Sequence, residues 1–241
     1  MKCYIDAGVF MCDRLPKHKQ MLHAFRKSIP VMAGYIVLGT GFGILLREKG
    51  YGVFWAFAMS LFIYAGSLQF VGVSLLTSSA SLLSAFMTSV MVNARHLFYS
   101  ISMLEKYRNA GVYKPYSIFA LTDETYSLLS DNQIPEGCDP GFYRFMVSLF
   151  NHSYWIFGSV LGSLLGSALP FSSEGIEFSM TALFAASLTE QWISSEDHLP
   201  ALCGLFSSLI SLLVFGKDNF LIPAMILITC ILALTGRRER T

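Results

Sequence analysis

Four consecutive residues, Asn93-Ala94-Arg95-His96, lie inside the apolar run from Ser81 to Leu104. A fixed cation in such a run costs roughly 2.5–3.5 kcal/mol on insertion scales, so its position calls for a use. Arg95 can hold a carboxylate through two parallel N–H bonds. His96 can change charge near neutral pH, since an unperturbed imidazole titrates at about 6.5. Asn93 can both donate and accept hydrogen bonds. A second polar cluster, Leu121-Thr122-Asp123-Glu124-Thr125, follows about a helix length later and supplies the opposite charge. Asp123 and Glu124 point about 100° apart on a helix, so at most one of them faces a given site directly. Ser67 and Gln69 add neutral donors and acceptors earlier in the chain.

The same residues admit a structural reading. Arg95 paired with Asp123 or Glu124 would simply hold helices together. His96 can be an interfacial or hydrogen-bonded core histidine. Asn151-His152 and Glu190-Gln191 are secondary candidates, for which structural roles are favoured. Aromatic residues near the clusters, including Phe62, Tyr64, Phe70 and Phe98, are possible pocket walls, although aromatic belts facing lipid are common.

The elements that must position these groups follow from composition. The 241 residues are 54% hydrophobic and only 14% charged, with a mean hydropathy of +0.53. Soluble domains carry about 25% charged residues, so the expectation is an all-α polytopic membrane protein. Eight apolar segments qualify: Ile29–Leu46, Val53–Leu76, Leu82–Leu104, Tyr116–Leu129, Phe142–Leu169, Phe178–Ile193, Leu199–Phe215 and Phe220–Thr235. Seven or eight crossings are expected, with broken or re-entrant helices. The first, third and fifth segments are long enough to span comfortably. Gly66-Ser67 is the expected place for a break in the second.

Residues 1–28 read as a basic, solvated arm on the cytoplasmic side, and residues 237–241 as a basic tail. Residues 29–236 form one membrane domain. The five cysteines form no CxxC pair, so neither a metal site nor a disulfide framework is expected.

Gly158, Gly162 and Gly166 recur every four residues and so share one helix face. Such a face suits static packing, a sliding contact or an exposed docking surface for a partner. An internal similarity links Leu61–Phe70 with Leu183–Trp192, each reading Leu-Phe, six residues, Gln and an aromatic. Two related halves are a common transporter plan.

The ordered set Phe25–Pro30, Gly41-Phe42-Gly43, Tyr64–Phe70, Val92–Ser100 and Leu121–Tyr126 resembles the AzlC-type branched-chain amino acid exporter family. The resemblance covers roughly residues 25–235, with Ala94 where that family usually has Leu. It implies the large subunit of a two-component permease in a bacterial or archaeal cell membrane. Its partner would be an AzlD-like membrane subunit of about 100 residues, room for a few spans of about 20. The implied substrate is a hydrophobic amino acid.

A zwitterion with an apolar side chain needs a cation or donors, a carboxylate or acceptors, and an apolar pocket. Ser67, Gln69, Asn93, Arg95, Asp123 and Glu124 would supply the polar part. His96, Asp123 and Glu124 are the groups for proton coupling. The chain has no G-x-x-x-x-G-K-[ST] loop, so the expected drive is the proton motive force rather than ATP. The alternative is a membrane-embedded enzyme using His96 with Asp123 or Glu124. Against it, the chain carries neither H-E-x-x-H nor G-x-S-x-G, and no cofactor is expected.

Overall fold

The computed structural model describes residues 3–6, 9–12, 15–78, 80–130, 133–168 and 198–236, with single positions between 178 and 193. In chain order the helices are α1 (Lys17–Glu48), α2 (Val53–Phe62), α3 (Gly66–Thr77), α4 (Leu82–Asn93), α5 (Arg95–Tyr107), α6 (Lys114–Phe119), α7 (Asp123–Ser130), α8 (Pro140–Ala168), α9 (Leu199–Asn219) and α10 (Leu221–Gly236). A short 3-10 turn covers Gly111–Tyr113. The one departure from an all-helical chain among the described residues is an antiparallel hairpin, β1 (Cys3–Asp6) with β2 (Val9–Cys12).

The expected single membrane domain packs as two compact units. One comprises Met1–Ser74 with His96–Ser173, the other Leu75–Arg95 with Glu174–Thr241. The first is organised on α1 and α8. Asp139 starts α8 by accepting from the Phe142 N–H at 3.0 Å, and Pro140 supplies a first residue already set for a helix.

The two long helices meet backbone to backbone. A Cβ added at Gly162 would fall onto the Thr40 backbone, and one at Gly158 would lie 2.8 Å from the Ile36 carbonyl oxygen. Gly39 faces Trp155 and Ser159 in the same way from α1. The Gly158/Gly162/Gly166 face is therefore not an exposed docking surface, since α1 of the same chain covers it. Small residues are what permit that approach.

The arm expected to be solvated is partly structural. α1 begins at Lys17 rather than at Ile29. Ala24 is buried in a core with Met103, Tyr107, Leu121, Leu129, Tyr143 and Val147. Gln20 is buried too, and its Oε1 accepts from the Asp139 N–H at 2.9 Å.

Three of the expected segments are interrupted. The second breaks at Ile63–Ala65, between α2 and α3, as the Gly66-Ser67 signal predicted. The third, expected to be one continuous span, divides at Ala94 into α4 and α5. The fourth divides at Ala120–Thr122 into α6 and α7. A helix as short as α7 is marginal alone, so both its ends are tied. Thr122 Oγ1 accepts from the Thr125 N–H at 3.3 Å, and Lys106 Nζ donates to the Ser130 carbonyl at 2.6 Å.

In the second unit α9 packs on α10, which touches α4. Between α9 and α10 lies an apolar groove lined by Leu202, Phe206, Ile210, Leu227 and Ile231. Outward faces are strongly apolar: Leu82 is 91% and Leu213 79% exposed. Apolar surface on that scale belongs against lipid or protein rather than water. Among the described residues, α1 and the 199–216 part of α9 are long and apolar enough to cross a membrane alone. Most of the sixth segment and of Leu183–Trp192 lies outside the described residues, as do Glu190 and Gln191.

Candidate functional site

The first unit contains a layer of polar side chains centred on the two breaks at Ile63–Ala65 and Ala120–Thr122. It begins with a backbone problem. Helix α2 ends at Phe62, and the N–H groups of Ile63 and Tyr64 both turn to the Met59 carbonyl, at 2.9 and 3.4 Å. The Ser60 carbonyl thereby loses its regular partner four residues on. His152 of α8 replaces it, with Nε2 at 3.1 Å. A carbonyl only accepts, so Nε2 carries the proton. In the neutral ring Nδ1 then accepts from the Tyr116 hydroxyl at 2.8 Å.

One turn further along α8, Trp155 Nε1 donates to Gln69 Oε1 at 2.7 Å, and Gln69 Nε2 donates to Ser60 Oγ at 3.2 Å. Both sides of the break are thus pinned to α8. Tyr64 sits at the break with φ of +39°, a conformation that costs a non-glycine residue energy and survives only when its surroundings fix it. Its ring lies 4.1 Å from that of His152, centroid to centroid.

The second break carries a chain of hydroxyls. Tyr35 of α1 donates to Glu124 Oε2 at 2.6 Å and lies 2.7 Å from Thr122 Oγ1. Thr122 Oγ1 donates to Thr125 Oγ1 at 3.0 Å, and Asn151 Nδ2 donates to the same atom at 3.0 Å. Tyr35, Thr122, Thr125, Asn151 and His152 are all buried. Glu124 is half-buried in the first turn of α7, where the helix N-terminus favours an anion.

A sequence model described as AzlC protein matches residues 30–169. The Branched-chain amino acid transport protein AzlC of Bacillus subtilis is 41% identical over 220 residues, which is 90% of this chain and 87% of that protein. The chain belongs to the AzlC family. An uncharacterized membrane protein of Haemophilus influenzae is 42% identical over 87% of this chain and 86% of its own length. The Escherichia coli inner membrane protein YgaZ is 26% identical over 88% of this chain and 87% of its own. No solved structure matches. The likeness to named membrane proteins and the apolar outer faces identify this AzlC-family chain as a membrane protein.

The region matching the AzlC model contains the whole polar layer, from Tyr35 to Trp155, while α9 and α10 lie beyond it. Of the residues singled out in the sequence, Gln69 and Glu124 take part in that layer. Asp123 adjoins Glu124 on α7, and Ser67 lies on α3 close to Gln69 in sequence. Asn93 and Arg95 belong to the second unit and flank the Ala94 break, whereas His96 belongs to the first. All three are half-buried. His96 packs edge-on against Tyr99, which stacks on Tyr126 of α7 at 5.0 Å.

Two of the pocket walls expected in the sequence are buried, Tyr64 and Phe70, but Phe62 is 73% exposed. The side chain of Phe98 lies outside the described residues. Sequence reasoning missed Tyr35, Ser60, Tyr116 and Trp155 as members of the layer, and ranked Asn151-His152 second. The asparagine–histidine pair was the available signal: two adjacent polar side chains midway along a helix whose buried face also carries Arg144, Ser148, Ser159 and Ser163.

Proposed function

We propose that this chain is the large subunit of a two-component permease that exports branched-chain or related hydrophobic amino acids across the cell's inner membrane. The observation that carries the reading is the 41% identity to the Bacillus subtilis protein over nine-tenths of this chain. The physical support is a polar layer held between interrupted helices, an arrangement secondary transporters use to bind polar groups at membrane depth. Multiple crossings, a cytoplasmic N-terminus and the proton motive force as drive complete the proposal. Arg95 would bind the substrate carboxylate, with Asp123 or Glu124 toward its ammonium and Ser67, Gln69 and Asn93 as neutral contacts. Cells loaded with radiolabelled leucine, valine or methionine should lose label faster when they carry the chain and a small AzlD-like subunit; equal loss from cells without them would sink the reading.

The partner follows from the family and from the apolar outer faces of α4 and α9. Co-expression and detergent purification should give a stable complex with that small subunit. Full transport by this chain alone in liposomes would contradict a two-subunit permease.

Proton coupling is assigned to His96, Asp123 and Glu124. In vesicles with an imposed pH gradient, the parent protein should respond to collapse of the gradient, and at least one of His96→Gln, Asp123→Asn and Glu124→Gln should not. A parent indifferent to the gradient would exclude proton drive under those conditions. Identical responses in the parent and all three variants would move the coupling group elsewhere.

A further inference from the structure

Two of the interrupted segments turn back on themselves, and they do so from opposite ends of the same pair of helices. α1 and α8 run parallel, with Phe25 against Phe150 toward their starts and Arg47 against Gly166 at their finish. α2 leaves the finishing end, where Gly52 lies beside Arg47, and runs inward until the Ser60 carbonyl meets His152. α3 does not continue toward the starting end. Gln69 reaches back to Ser60 at 3.2 Å, Gly72 lies against the Met59 side chain, and the Phe70 ring meets that of Phe42. Residues 59 and 72 of one continuous helix would stand about 20 Å apart.

The second hairpin comes from the other end. α6 starts where Tyr113 packs on Phe142, and runs inward until Tyr116 and Phe119 meet His152. α7 then returns, from Thr125 at Asn151 to Leu129 in one core with Ala24 and Tyr143, and Ser130 is held there by Lys106. The arms have 10, 12, 6 and 8 residues. None is longer than about 18 Å, against a hydrocarbon core of about 30 Å. Each hairpin thus reaches roughly half-way, and the tips at Ile63–Ala65 and Ala120–Thr122 come together. Non-helical backbone at such depth is tolerated where it is buried in protein or lines a passage. His152 ties the two hairpins: Nε2 donates to the Ser60 carbonyl of the first, and Nδ1 accepts from the Tyr116 hydroxyl of the second. Tyr64, buried at the first tip, has the His152 ring at 4.1 Å and the Phe119 ring of the second hairpin at 6.4 Å.

We infer, resting on the transport reading above, that the substrate crosses this chain between the two hairpins, that Tyr64 closes the passage where their tips meet, and that His152 is the positioning residue that keeps both hairpins shut. α1 and α8 leave no room between themselves. A full-length helix would block a route at every depth, whereas two half-length hairpins block it at one layer. Moving α2–α3 aside opens that layer to the end where α1 finishes, while α6–α7 still covers the other side. The reverse motion opens it to the end where α1 starts. The layer holds Gln69 and Glu124, two of the residues assigned to the substrate. The positive φ of Tyr64 favours release of the tip once its contacts go.

The test uses the full chain with its own cysteines changed to serine, in membrane vesicles and, with its partner subunit, in liposomes. Lys49→Cys and Ser74→Cys should react with a membrane-impermeant maleimide from one face of the membrane, and Val112→Cys and Ser130→Cys from the opposite face. Members of either pair labelling from different faces would make that hairpin a crossing and overturn the inference. In liposomes, Tyr64→Ala and His152→Gln should leak radiolabelled serine at least about tenfold faster than the parent, the scale of one lost aromatic or hydrogen-bonded contact. Tyr64→Phe keeps the ring and should retain serine as the parent does. Should Tyr64→Ala fail to reach the membrane, Phe119→Ala removes the ring that packs on Tyr64 from the other tip and carries the same expectation. Parent-like retention in a variant that folds would overturn the closing role of the residue it replaces. Neither labelling nor serine leak requires a transported substrate. A parent that gives both results as expected, yet moves none of leucine, valine or methionine, would overturn the transport reading and leave the closed passage standing.

Discussion

Gly162→Ala will destabilise the protein severely, whereas Gly34→Ala will be silent or mildly stabilising. The two glycines lie on the paired helices α8 and α1, and both changes add a single methyl group. At Gly162 that methyl would meet the backbone of Thr40, with its carbonyl carbon 2.7 Å away. Backbone cannot rotate aside as a side chain can, so the helices must separate along their length. Gly43 faces Gly162 from the other side, with its added Cβ 2.9 Å from the Gly162 carbonyl carbon, so the strain has no easy outlet. Overpacking costs about 1–3 kcal/mol in ordinary cores, and this contact belongs at or above the upper end. At Gly34 an added Cβ meets nothing within 4 Å. There alanine gains up to about 1 kcal/mol of helix propensity. Thermal melting of the purified variants, with size-exclusion profiles, checks the pair. A Gly162→Ala protein that melts with the parent would mean that α1 and α8 do not touch backbone to backbone.

Arg95→Lys will lower transport about tenfold to a hundredfold without lowering the amount of protein in the membrane. Arg95 opens α5 directly after the Ala94 break and is half-buried. Lysine keeps the charge but loses the planar, two-point geometry that fits a carboxylate. A hydrogen bond to a charged group contributes about 1.5–3 kcal/mol, which sets the size of the loss. The deficit should appear as a higher half-saturating substrate concentration. A structural pairing of Arg95 would tolerate lysine better and leave that concentration unchanged. Equal efflux and equal affinity in the variant would therefore remove Arg95 from the site.

The helical class was legible because apolar runs with almost no charge have few other solutions. The break before Gly66 was legible from a glycine among polar residues inside a span. The break at Ala94 was not, because alanine is the best helix former and Asn93, a residue that often ends helices, was read as a substrate contact. The glycine stripe of α8 was read correctly as a close-packing face, but spacing does not say what occupies it. Only the three-dimensional pairing with Gly39 and Gly43 shows the occupant to be α1. The N-terminal arm was misread for a related reason. Lys17, Lys19, Arg26 and Lys27 made it look solvated, although Gln20, Ala24 and Ser28 follow one another at helical spacing and are buried.

Glu124 stood out because charge is rare in an apolar setting. Tyr35 did not, because a tyrosine in a membrane helix is ordinary until its hydroxyl is seen 2.6 Å from a carboxylate. The partnership of His152 with Ser60 was hidden for a deeper reason. It answers a backbone carbonyl, and no side-chain pattern announces which carbonyl a broken helix will leave open.

The central claim is that this chain moves hydrophobic amino acids against protons. Its most direct test is reconstitution of the purified chain with its small partner subunit into liposomes of low internal buffering, with radiolabelled leucine inside and a pH gradient imposed across the membrane. The account predicts that leucine leaves faster when the outside is acidic, that protons enter as it leaves, and that excess internal valine or methionine slows the labelled flux. Leucine retention equal to that of protein-free liposomes, with or without the gradient, would contradict it.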